Sequence, residues 1–167
     1  MERLWSPWRS KYIDSMKDEK KDNSCVFCSA SGEELTDDQS LVVFKRNNVF
    51  IVLNLYPYNN GHLMVVPNRH ISDLNELTSE EFAEITSQIT LATEALKKLY
   101  VPHGFNIGAN IGKAAGAGID THIHFHVVPR WNGDTNFMPT IGEVKVISHE
   151  LIETKKNLIN TIQEILK

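Results

Sequence analysis

With 167 residues, 41% of them hydrophobic and 23% charged, the chain has the length of one domain and the composition of an ordinary globule, which excludes wholesale disorder, a collagen-like repeat and a disulfide-dense scaffold. A net charge of −4 excludes a large basic footprint for duplex DNA or anionic lipid, so neither a nucleic acid nor a membrane is expected as a partner. Apolar runs such as residues 63–66 are too short to span a bilayer, and Ser6, Pro7, Arg9, Ser10 and Lys11 interrupt any secretory core after Met1, so a cytoplasmic location is expected.

In chain order, residues 1–24 read as an N-terminal arm that docks through Trp5, Trp8 and Tyr12. Cys25 and Cys28 follow as a Cys-x-x-Cys pair, which in a reducing compartment suggests a metal or a redox role more than a structural disulfide. Residues 41–45 and 49–53, rich in β-branched and aromatic side chains, predict a strand pair about a turn at Arg46-Asn47-Asn48. A loop through Tyr56, Pro57 and Gly61 leads to a strand at 62–67. Thr78-Ser79-Glu80-Glu81 has the form of a capping box, and Phe82, Ile85, Ile89, Ala92, Leu96 and Leu99 follow at helical spacing, so one long amphipathic helix is expected, ending before Pro102 and packing on the chain's own sheet. Residues 105–111 and 121–128 read as strands joined by a glycine-rich loop. Ser148 opens a second helical pattern carried by Leu151, Leu158, Ile159, Ile162, Ile165 and Leu166. The order of elements has no regular βαβ alternation, so the class is α+β with a mostly antiparallel sheet.

The chemistry concentrates in Thr121-His122-Ile123-His124-Phe125-His126-Val127-Val128, where histidine alternates with large apolar residues. On a strand the three imidazoles share one face, about 6.6 Å between neighbours and about 13 Å between the outer two, while Ile123, Phe125 and Val127 enter the core. Rings so spaced cannot all converge on one metal; a metal takes one or two of them and leaves at least one for other work. A neutral imidazole is a competent nucleophile at pH 7, and a second, protonated one can donate to a phosphoryl oxygen or a leaving group. The glycine-rich segment from Gly104 to Gly118 runs into this strand and permits backbone amides to approach phosphate. It is neither a P-loop, since Gly108 to Gly112-Lys113 is one residue short and Ala114 stands where Ser or Thr is needed, nor a dinucleotide fingerprint, since it precedes a strand.

His122-Ile-His124-Phe-His126-Val-Val matches, without gaps, the pattern of the histidine triad (HIT) proteins, and the resemblance extends from about Cys25 to Phe137. It implies a HIT-like fold: a five-stranded antiparallel sheet with one long helix and a C-terminal helix, as a homodimer. Residues 25–137 would form the HIT domain and 138–167 a helical extension of it. By resemblance His124 is the nucleophile that attacks an α-phosphate, His126 contacts the phosphate and the leaving group, Asn54 bonds the ribose hydroxyls, and His62 lies near the nucleotide. Asn110, Gly116 and Gly118 of the glycine-rich loop complete the expected nucleotide site. Within the family, residues 130–137 and 4–9 look most like the bacterial diadenosine tetraphosphate phosphorylases. Asn110 and Gly118 stand where the Fhit-like dinucleoside triphosphate hydrolases carry glutamines, and the loop is one residue longer, leaving room for inorganic phosphate as acceptor.

The related galactose-1-phosphate uridylyltransferases pair a Cys-x-x-Cys with two histidines; carried over, that implies a closed structural zinc site of Cys25, Cys28, His70 and His122, with His122 anchoring the catalytic strand. His126 argues against uridylyl transfer itself, because those enzymes have glutamine there. The resemblance thus implies an enzyme that cleaves dinucleoside polyphosphates through a covalent nucleotidyl-histidine, with phosphate or water as acceptor. Two other readings stand beside it: a Hint-like nucleoside phosphoramidase, and a nucleotide-binding dimer without a nucleophile. His103 and His149 are read as surface residues.

Overall fold

A computed structural model describes residues 25–134 and 150–167. The arm at 1–24, the stretch at 135–149 with Ser148 and His149, and therefore Trp5, Trp8, Tyr12 and Phe137 lie outside the described residues. Five strands form one sheet: β1 (Val42–Lys45), β2 (Val49–Leu53), β3 (Leu63–Pro67), β4 (Gly104–Gly108) and β5 (Phe125–Arg130). Their order is β1-β2-β3-β5-β4 and every neighbouring pair is antiparallel. Among the described residues three α-helices accompany it: α1 (Val26–Gly32), α2 (Ser79–Tyr100) and α3 (Leu151–Ile165).

Period-two alternation assigns the faces. Val49, Ile51 and Leu53 of β2, Leu63 and Val65 of β3 and Val127 of β5 pack with Ile85, Ala92, Ala95 and Leu96 of α2 and with Leu158 and Ile162 of α3. On the reverse face Phe50, Val52, Met64 and Val66 gather around Phe27 of α1. His126 pairs across from Met64, so it lies on the α1 face while its neighbour Val127 is buried beneath α2. The HIT-like, α+β expectation of a five-stranded antiparallel sheet with a long helix and a C-terminal helix is met.

Helix α2 starts where the sequence predicts. The Thr78 hydroxyl accepts from the Glu81 amide, and the Glu81 carboxylate accepts from the Thr78 amide. Glu81 does a second job: both its oxygens take Arg69, at 2.6 and 2.7 Å, which holds its carboxyl at about 2 and ties the segment before His70 to the helix start. Phe82, expected in the buried seam, is 54% exposed; the seam begins one turn later, at Ile85. The helix closes at Val101 in the left-handed conformation, φ 47°, and Pro102 bars further helix.

Two strand boundaries differ from expectation. β4 ends at Gly108 instead of Ile111, and β5 begins at Phe125, so His122 and His124 precede the strand in irregular backbone. The regular three-histidine strand face is therefore corrected. A contact with the 71 region, Ile123 amide to Ile71 carbonyl at 2.7 Å, takes the place of sheet pairing there, and the His124 and His126 rings come to 4.9 Å between centroids.

Gly61 sets up the turn into β3. It holds φ +71°, and a Cβ there would stand 2.8 Å from Leu96 Cδ2 and 3.2 Å from Tyr100 Cε2. Gly61→Ala is expected to destabilise the protein by about 2–4 kcal/mol, from backbone strain plus overpacking against α2; urea denaturation with unchanged midpoint would refute this.

Candidate functional site

The triad splits into two jobs. His122, fully buried, turns towards the two cysteines: its Nδ1 lies 3.3 Å from Cys25 Sγ and 3.7 Å from Cys28 Sγ, and Cys28 Sγ lies 3.3 Å from His70 Nδ1. Ligand atoms of Cys25, Cys28, His70 and His122 all fall within 4.8 Å of one another. Tetrahedral zinc, with bonds of about 2.3 Å to sulfur and about 2.0–2.1 Å to nitrogen, separates these ligands by about 3.5 Å, so the donor set fits a metal. The tautomer fits as well. His122 Nε2 is 2.9 Å from the Pro67 carbonyl oxygen, which can only accept; Nε2 therefore carries the proton and Nδ1 presents its lone pair to the thiols.

The other two histidines are ordered by the same logic. His124 Nδ1 donates to the His122 carbonyl at 2.9 Å, which leaves its Nε2 with an available lone pair. The Tyr58 amide donates to His62 Nδ1 at 3.0 Å, so the neutral His62 carries its proton on Nε2 and donates it to His126 Nδ1 at 3.0 Å. His126 consequently holds its own proton on Nε2. Adjacent to each other are thus one imidazole with a free lone pair and one with a free N–H.

Burial keeps both neutral. It lowers His124 from the ordinary imidazole value, and it pushes His126 down to about 4, with the neighbouring His124 adding to the effect. The sequence reading asks for a protonated second imidazole; the structure supplies a neutral donor. A stability consequence follows. Between about pH 6.5 and 4 the unfolded chain binds a proton that folded His126 refuses, so stability is complete above pH 6.5 and falls as pH drops through that window, by on the order of 2–3 kcal/mol. His122 and His124 are lowered too and act in the same direction. Urea midpoints measured from pH 7 to 4 should show a shallower decline in His126→Asn than in the wild type; identical slopes would contradict it.

Of the remaining predicted residues, His62 is fully buried and bonds His126, so it supports a neighbour more than it faces a ligand. Asn54 donates to His62 Nδ1 at 3.3 Å and accepts from the Tyr56 amide at 3.0 Å. Asn110 lies two residues beyond Gly108, which pairs with His126. The Gly116 amide donates to the Lys113 carbonyl at 3.0 Å, and Gly116 closes a 3-10 turn at Lys113–Ala115 with φ 91°; Gly118 is exposed. His103 is exposed, as expected, and accepts from the Asn132 amide.

Two contributors escape the sequence reading. Phe27 sets its ring 5.5 Å from His122 and 4.9 Å from His124, and Tyr58 sets its ring 4.6 Å from His62 and 5.6 Å from His126. The signal for Phe27 is its place inside the Cys-x-x-Cys pair; nothing in the local pattern singles out Tyr58 from Tyr56. Among the described residues, no helix is long and apolar enough to cross a membrane.

Residues 36–133 match the HIT domain model. A Mycobacterium tuberculosis protein described as AP-4-A phosphorylase is 44% identical over 161 residues, covering 95% of this chain and 83% of that one. An adenosine 5′-monophosphoramidase of Schizosaccharomyces pombe is 29% identical, over 77% of this chain and 96% of its own. Among solved structures, a zinc-bound histidine triad family protein from Mycobacterium smegmatis superposes with a TM-score of 0.68 at 28% identity, covering 85% of this chain and 95% of that one.

Proposed function

From the premise that the chain belongs to the histidine triad (HIT) family, we propose that it cleaves dinucleoside polyphosphates of the diadenosine tetraphosphate type at the α-phosphate. The observation that carries this reading is the adjacent pair of imidazoles with opposite free groups. His124 Nε2 attacks the α-phosphorus; a P–N bond forms, the bridging P–O bond breaks, and the nucleoside polyphosphate departs with its electron pair. The Nε2–H of His126 stabilises the oxygen on which that charge develops. The His122 carbonyl accepts the Nδ1–H of His124 and favours the positive charge the ring takes on. An acceptor oxygen then attacks the same phosphorus, the P–N bond breaks with its electron pair returning to His124 Nε2, and the proton of the acceptor passes to solvent. Phosphate as acceptor yields ATP and ADP from diadenosine tetraphosphate, and water yields AMP and ATP. The similarity to the M. tuberculosis phosphorylase favours phosphate. The similarity to the S. pombe phosphoramidase supports a second reading in which the bond broken is P–N.

In this reading Asn54 bonds the ribose, through the lone pair left on its carbonyl oxygen, and Asn110 and Gly118 border the phosphates, whereas Gly116 shapes the loop and His62 sets the tautomer of His126. Zinc occupies the Cys25, Cys28, His70 and His122 cluster as a structural ion, since two thiolates and two imidazoles suit its softness and its geometry. Residues 25–137 and 138–167 act as one domain, supported by the packing of α3 on α2 and β1. The active form is a homodimer: β4 is an edge strand, and its Ile107 is half exposed, an edge that a second copy would cover.

The deciding experiment is chromatography of the products from diadenosine tetraphosphate with and without inorganic phosphate. ATP plus ADP, formed only with phosphate, is the expected result. AMP plus ATP in both conditions would make the protein a hydrolase, and no products at all would transfer the reading to phosphoramidates.

A further inference from the structure

Beyond Arg130 the chain folds back at Trp131 so that the Asp134 carboxylate, with only a tenth of the side chain exposed, returns to the end of β5. Its Oδ2 accepts from Arg130 Nε at 2.7 Å, from the Trp131 amide at 3.0 Å and from Asn59 Nδ2 at 2.8 Å, while Oδ1 accepts from Arg130 Nη2 at 2.8 Å. Asn59 Nδ2 also donates to the Pro129 carbonyl at 3.1 Å. Asn59 thus ties the surface loop between β2 and β3 to the strand that carries His126. Its own carbonyl accepts the His62 amide at 3.2 Å, and the preceding residue, Tyr58, supplies the amide that fixes the tautomer of His62.

A continuous run of hydrogen bonds therefore joins Asp134 to His126 through Asn59, the 58–62 turn and His62. We infer that Asp134 and Asn59 are positioning residues for His126: they hold the Tyr58 amide where it locks His62, and so keep the proton of His126 on Nε2, facing the leaving group. Both reach the triad through the 58–62 turn and His62. The charge of Asp134 matters because one carboxylate serves four donors, which an amide cannot do. This rests on the reading of His126 as donor to the departing oxygen, and the test separates the two.

The phenyl and 4-nitrophenyl esters of AMP are alike in size and charge but differ in how much help the leaving oxygen needs. Asp134→Asn and Asn59→Leu are expected to lower kcat on the phenyl ester about tenfold more than on the nitrophenyl ester, with little change in KM, and to be non-additive when combined. His126→Asn should show the same selectivity. An equal loss on both esters would reduce the two residues to a structural role and overturn the inference. Nitrogen-15 histidine spectra provide a measurement independent of turnover: His126 should be the Nε2–H tautomer in the wild type and a mixture in both variants, and an unaltered tautomer would overturn the inference as well. Wild-type cleavage of the nitrophenyl ester that persists in His124→Ala would instead sink the parent reading and leave the tautomer result to stand or fall alone.

Discussion

His124→Ala is expected to cut turnover of diadenosine tetraphosphate by at least about 10³-fold while changing nucleotide affinity by no more than several-fold. The reason lies in which lone pairs are free. Among the described triad residues, His122 directs its Nδ1 at the thiols and His126 has its Nδ1 bonded by His62. His124 Nε2 is left as the nitrogen able to form a bond to phosphorus. In the proposed mode of binding, affinity rests on groups spread over Asn54 and the glycine-rich loop, which the truncation leaves in place. Rapid-quench experiments with adenosine-labelled substrate should trap a labelled protein in the wild type and none in the variant. Turnover near the wild-type rate in His124→Ala would end the covalent reading.

The second large effect concerns the proposed zinc site at Cys25, Cys28, His70 and His122. Cys28→Ser, or exhaustive chelation of the wild type, is expected to destabilise the protein by on the order of 3–5 kcal/mol, because four ligands from α1, the 68–71 segment and the lead-in to β5 lose their common tie. Thermal unfolding with and without chelator, set beside elemental analysis expecting about one zinc per chain, reads this directly. Turnover should fall in parallel, since His122 supplies the carbonyl that holds His124. An unfolding temperature indifferent to chelation would show that the cluster is an unmetallated thiol pair.

Much of this arrangement is legible in the amino-acid order, for identifiable reasons. Helix α2 announces itself because Thr78 and Glu81 cap it reciprocally and its apolar spacing runs for many turns. Strands β2 and β3 are dense in β-branched residues. The triad is legible as a motif, yet its geometry is not: alternation predicts a straight strand, whereas the Ile123 contact with Ile71 and the burial of His122 against Pro67 pull residues 122–124 out of the ladder. Those contacts join positions more than fifty residues apart, and no local pattern encodes them. The hydrogen-bond direction through His62 escapes a sequence reading for a similar reason. It depends on a backbone amide, that of Tyr58, which every residue except proline possesses. The buried Gln88, whose Oε1 has no partner among the described residues, sits on the buried side of α2 for no reason that the structure supplies.

The peptide group at His122 serves two masters at once. Its imidazole belongs to the cluster, but its carbonyl oxygen belongs to His124, and a carbonyl is common to every amino acid. No substitution at position 122 can delete the acceptor; each can only change where it points. Saturation mutagenesis of this one codon would remove the cluster's imidazole in every variant, and the activity left in each would be ordered by how well the replacement restrains the main chain without it. Such a series would measure, in rate, how much angular tolerance the nucleophile has.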